Sequence, residues 1–125
     1  MSVFLSALML VACDPSANAT TAQQVNTAQA FVASLNRLDA PAMLDTLSDD
    51  AVYYDGAEDE KGSARTFFVD GMRGMDPDER LNYRIVSNLA IPDTVALRIL
   101  DDDADSEEII LLRFSGTCID LIVGV

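Results

Sequence analysis

An α+β domain is the fold class that this sequence predicts. Two observations carry it. Apolar residues at helical spacing are confined to the chain ahead of Asp76, while period-two alternation dominates from Leu81 onward. Helices gathered early and strands gathered late mark an α+β protein, because a parallel α/β sheet interleaves the two. A third observation sets the scale: half of the 125 residues are hydrophobic, enough for one domain with a real core and too many for a disordered chain.

The elements follow in order. Val3 to Val11 is an apolar run, too short at ~15 Å of helix to cross a ~30 Å hydrocarbon core. It has the length of a signal-peptide core, and residues 1–12 are read as that segment. No Lys or Arg precedes Val3, so a charged n-region would lie upstream of Met1. Leu10-Val11-Ala12-Cys13 resembles the cleavage and lipidation box of bacterial lipoproteins. That resemblance implies a lipidated Cys13, with residues 13–24 as a small, polar, flexible tether. Cys118 then has no partner and is an inert buried thiol; without acylation, a Cys13–Cys118 bridge is the competing arrangement.

The domain proper is placed at 25–125. Val25, Ala28, Phe31, Val32, Leu35 and Leu38 share one face of a helix. Pro41 suits the first turn of a short second helix, with Met43, Leu44 and Leu47 inward and Asp49-Asp50 as its break. Ala51 to Asp55 reads as a strand, Gly56 to Gly62 as an acidic loop, and Ser63 as the cap of a third helix carrying Phe67 and Phe68. Leu81–Ile85, a strand containing Val95, Leu97 and Ile99, Ile109–Ser115 and Thr117–Val123 form an antiparallel meander, with Asp101 to Glu108 as an acidic hairpin connection.

Composition narrows the chemistry. The net charge is −13, with eight basic residues against twenty-one acidic ones. Such a surface repels phosphate backbones, so no nucleic acid is expected as a partner. There is no histidine, which excludes a Ser-His-Asp triad and removes the commonest metal ligand. The alternating carboxylates Asp101, Asp103, Asp105 and Glu107 lack the glycine and the terminal bidentate Glu of a calcium loop, so no metal and no cofactor are expected.

The order of elements, with Phe31-Val-Ala-Ser-Leu-Asn-Arg-Leu-Asp39 and Leu47-Ser-Asp-Asp-Ala-Val-Tyr-Tyr-Asp55, resembles the nuclear transport factor 2-like superfamily, and within it the ketosteroid isomerase-like and SnoaL-like proteins. The resemblance implies a cone-shaped, bent antiparallel sheet wrapped around the N-terminal helix (the cystatin-like arrangement), an apolar pocket inside it, and homodimers through the outer sheet face. The isomerase of this family uses an Asp base and an oxyanion hole made by a Tyr and a protonated Asp. Carried over residue by residue, the base falls on Asp55. The tyrosine falls on Phe31 and the protonated aspartate near Ile110, neither of which can donate a hydrogen bond.

Asp55 therefore has two readings: a general base at the mouth of the pocket, or the turn-forming aspartate before Gly56. The pocket-lining candidates are Phe31, Leu35, Tyr53, Phe67, Phe68, Tyr83 and Ile110. The leading functional expectation is a lipoprotein of the bacterial envelope, facing periplasm or exterior, which holds a small hydrophobic ligand without changing it. The alternatives are an isomerase, dehydratase or hydrolase using Asp55 as base, and an envelope protein-interaction subunit.

Overall fold

The computed structural model describes residues 12–124. Helix α1 spans Thr21–Asn36 and α2 Ala40–Leu44; strands β1 and β2 are Leu47–Asp55 and Glu60–Ser63; helix α3 is Ala64–Arg73. Four strands complete the chain: β3 Tyr83–Ile91, β4 Thr94–Asp101, β5 Ser106–Ser115 and β6 Cys118–Gly124.

The first helix begins four residues earlier than its apolar face indicates. Thr20 and Gln23 form a reciprocal cap: the Thr20 hydroxyl accepts from the Gln23 N–H at 3.1 Å, and Gln23 Oε1 accepts from the Thr20 N–H at 2.8 Å. The residues ahead of it are packed, which corrects the expected tether. The Asp14 N–H donates to Thr117 Oγ1 at 2.8 Å, the Thr117 N–H to the Asp14 carbonyl, and the Cys13 N–H to the Asp45 carbonyl. Gly116 sits at φ +57°, and a Cβ there would fall 2.2 Å from the Asp14 oxygen, so this turn needs glycine for both conformation and space. The two sulfurs are joined, Cys13 to Cys118, with Cα atoms 5.0 Å apart. A sulfur in that bond carries no acyl-bearing thioether, so the structure adopts the bridge in place of the lipidated Cys13 and the free Cys118. The signal-segment reading lies, Ala12 apart, outside the described residues.

Asp49-Asp50 does not interrupt the chain: β1 starts at Leu47 and runs through both, with an irregular register between Leu47 and Val52 that accommodates the exposed pair. Leu47 thus belongs to the sheet and not to α2. The expected loop 56–62 narrows to a turn, because Glu60–Ser63 pairs antiparallel with β1. Ser63 caps α3 as expected, accepting from the Thr66 N–H at 3.2 Å.

The six strands form one sheet in the order β2-β1-β6-β5-β4-β3. All neighbours are antiparallel except β1 and β6, which run parallel, so the sheet is mixed and not purely antiparallel. Its inner face supplies Val95, Leu97, Ile99, Leu112, Phe114 and Ile122 to the core, where they meet Ala28, Phe31 and Val32 of α1. Side-chain amides fasten α1 to the sheet at both ends. Buried Gln24 donates to Asp93 Oδ1 and the Gly116 carbonyl, and accepts from the Asp93 N–H, each at 2.9 Å. Asn36 gives Tyr83 a strand-like pair of bonds, donating to its carbonyl at 2.8 Å and accepting from its N–H at 2.9 Å. No helix among the described residues is long and apolar enough to cross a membrane.

Candidate functional site

Where α3 leans against the open end of the sheet, a cavity of about 250 Å³ remains between them. Its position follows from local structure. Period-two alternation in β5 aims Ile110 and Leu112 inward with Glu108 on the same side at the strand's beginning. The end of β1 brings Tyr53 and Asp55 to the cavity, and the first turns of α3 bring Phe67 and Phe68. Of the pocket candidates, Phe31, Tyr53, Phe67, Phe68, Tyr83 and Ile110 line this space. Leu35 does not; it lines an adjoining groove between α1 and α3, shared with Phe68 and Met72.

The aromatic side chains form a corner. Tyr53 stacks on Phe67 with centroids 4.1 Å apart and planes at 10°. Phe68 stands nearly perpendicular to Phe31, Tyr53 and Phe67, at 5.3, 5.6 and 5.0 Å. Such edge-to-face packing places ring edges against ring faces, the electrostatically favoured arrangement. Phe67 is 51% exposed, so it forms the rim while Phe31, at 1%, forms the floor. Gly124 leaves room for the Tyr53 phenol: a Cβ there would lie 3.2 Å from its oxygen.

Asp55 stands at the mouth, and its carboxylate is engaged in the turn that follows. Oδ1 accepts from the Ala57 N–H at 3.0 Å and from the Glu58 N–H at 3.3 Å. Among the described residues no tyrosine hydroxyl donates to it; Tyr54 donates to Asp59 instead, at 2.9 Å. The Asp55 carboxylate, as hydrogen-bond partner and as like charge, pushes Glu58 above the usual carboxylate range. Tyr53 is raised above an ordinary phenol by burial first, then by the negative charges of Asp55, Glu108, Glu58 and Glu60. Burial also raises Tyr83, with Glu108 and Asp101 adding to it. Both phenols therefore remain protonated hydrogen-bond donors across the neutral range.

Phe31 and Ile110 line the cavity as apolar surface, so neither oxyanion donor of the isomerase arrangement is present at those two positions. Sequence reasoning missed Val32, Ile99, Ile109, Ile122 and Gly124 as lining residues and, as the one charged group among those missed, Glu108. The signal was available, since Glu108, Ile110, Leu112 and Phe114 share one face of a strand. Among the described residues no cluster of His, Cys, Asp and Glu is disposed to hold a metal ion.

No protein-family model matches the sequence, and no curated protein matches it. Solved structures do match. A SnoaL-like protein from Burkholderia thailandensis superposes with a TM-score of 0.69 at 14% identity, covering 85% of this chain and 95% of its own. AclR of Streptomyces galilaeus, a proposed hydroxylase, gives 0.66 at 25% identity, covering 85% and 76%. A ketosteroid isomerase-like protein from Catenulispora acidiphila, solved with trimethylamine, gives 0.62 at 18% identity, covering 79% and 83%. The fold is nuclear transport factor 2-like. Proteins with this fold include polyketide cyclases, isomerases and epoxide hydrolases, so the architecture by itself selects no chemistry.

Proposed function

We propose that this domain holds a small, largely apolar molecule in the cavity beside Asp55 and releases it unchanged. One observation carries the reading: the cavity is walled by aromatic and aliphatic side chains, yet its would-be base is tied to two backbone N–H groups and meets no phenol. An apolar concavity with a few polar groups at its rim is the usual form of a ligand site. The Catenulispora protein, solved with trimethylamine, is a precedent for this fold holding a small organic amine. The cross-link between Cys13 and Cys118 supports work in an oxidising compartment, in the envelope or outside the cell.

The sheet's outer face favours self-association as part of this role. Leu89, Ala96, Leu111 and Val123 lie side by side across four strands, and Leu89 and Leu111 are exposed, as are Ile91 and Ile109 nearby. A second copy of the chain would cover this row.

A fragment screen by heteronuclear NMR tests the ligand reading. Shifts should gather at Tyr53, Phe67, Phe68 and Tyr83, and each bound fragment should be recovered intact after prolonged incubation. Asp55-dependent turnover of a fragment would overturn the non-catalytic role. A screen with no hits at those residues would overturn ligand binding. Sedimentation should show a dimer that Leu89→Lys disperses; a monomer at high concentration would remove the self-association.

A further inference from the structure

The charge at this cavity is one-sided. Asp55 and Glu108 line it, and an adjoining hollow that shares Tyr53, Asp55 and Phe67 adds Glu58 and Glu60. Lys61 is the one cation lining either space among the described residues. Four carboxylates against one ammonium give the mouth a negative potential, and low-dielectric walls focus such a field. An anionic ligand entering here would meet like charge with no guanidinium to receive it. A neutral ligand would gain no charge–charge attraction from these groups.

The walls make a complementary demand. The Tyr53, Phe67 and Phe68 rings meet at 10° and at 85–87°. Tyr53, Phe67 and Phe68 all line the cavity, and the face of an aromatic ring attracts a positive charge. Alkyl groups on that charge fit the aliphatic remainder, Ile99, Ile110 and Ile122. At about 250 Å³ the space falls below the roughly 300–1,000 Å³ of drug-sized pockets, so the occupant is small.

We propose that the cavity recognises an alkylated organic ammonium, its positive charge beside Asp55 and Glu108 and its alkyl groups among the rings. The inference rests on the cavity being a ligand site and names the class of ligand it takes. Carboxylates and aromatic faces act on the same charge from different sides, so neither set has to be fully dehydrated for the cation to be held.

The test uses three probes of nearly one shape on the full chain: choline, 3,3-dimethylbutan-1-ol and 3,3-dimethylbutanoate, with affinities taken from NMR titrations. Choline should bind about tenfold or more tightly than the neutral alcohol, and the carboxylate more weakly than either. The double variant Asp55→Asn, Glu108→Gln should bring choline to within about threefold of the alcohol. The alcohol's own affinity should stay unchanged, which shows that the cavity has kept its shape. If the alcohol or the carboxylate binds as well as choline, the cation preference is overturned while the ligand site stands. If the double variant keeps the full preference, the carboxylates are not its source and the proposal fails. If none of the three perturbs the cavity residues, the ligand site and the inference fall together.

Discussion

Opening the Cys13–Cys118 bond is the perturbation with the largest calculable effect on this molecule. The bond joins residues 105 positions apart, which closes nearly all of the described chain into one loop. In the chain-entropy account, a loop of that length removes about 16 cal/mol/K from the unfolded ensemble, or about 4.7 kcal/mol at 25 °C. That is comparable with the whole stability of an ordinary domain, about 5–15 kcal/mol. At roughly 4 °C per kcal/mol for a chain of this size, the ceiling is a fall of about 20 °C in Tm. Measured values commonly undershoot this model, so about 10–20 °C is expected. The assay compares oxidised protein with the Cys13→Ser, Cys118→Ala double variant by calorimetry at fixed pH. Alanine is chosen at 118 because that side chain is buried, and an added hydroxyl there would be stranded. Intact mass should show the wild type lighter by two hydrogens than its reduced form. A Tm difference under about 3 °C would refute the loop-closure reasoning. An acylated Cys13 beside an alkylatable Cys118 would show that the cross-link does not form in the cell.

Gln24→Ala should cost about 2–3 kcal/mol in urea unfolding, since it removes three hydrogen bonds and leaves the Asp93 N–H without its acceptor; a loss below about 0.5 kcal/mol would mean that the two turns hold themselves. Tyrosinate absorbance should rise at higher pH in native than in urea-unfolded protein, because Tyr53, Tyr54 and Tyr83 are all raised above 10.0. The corresponding stability is fully present below the unfolded phenol value. It declines as pH climbs from there through the folded values, since only the unfolded chain releases those protons in that interval. Superimposable native and unfolded titration curves would contradict this.

Much of the architecture was legible because burial imposes periodicity. Phe31 and Val32 mark the inward stripe of α1, and Val95, Leu97 and Ile99 the inward face of β4. Ser63 announced α3 through a cap whose geometry depends on one residue. The start of α1 was equally legible in Thr20 and Gln23, but a compositional reading of residues 14–24 as polar and small concealed that pair. Asp49 and Asp50 misled for a different reason. Carboxylates are poor strand formers on average, yet here both are exposed within a strand that is otherwise largely withdrawn from solvent, where such side chains are tolerated. The parallel pairing of β1 with β6 joins residues some seventy positions apart, and no local pattern encodes it. Placement of the aromatic residues around the cavity followed from their helix and strand faces. Glu108 went unread because a run of acids looks uniform until strand alternation divides it.

That parallel pairing carries a consequence for how the molecule is made. The last of the described strands belongs in the middle of the sheet, between the first strand and the fifth. Until it arrives, β1 with its β2 hairpin and the β3–β5 meander are two fragments with facing unpaired edges, the kind of surface that invites mispairing in a nascent chain. Productive folding is therefore governed by distant contacts, which places it on the slow side for a domain of this length.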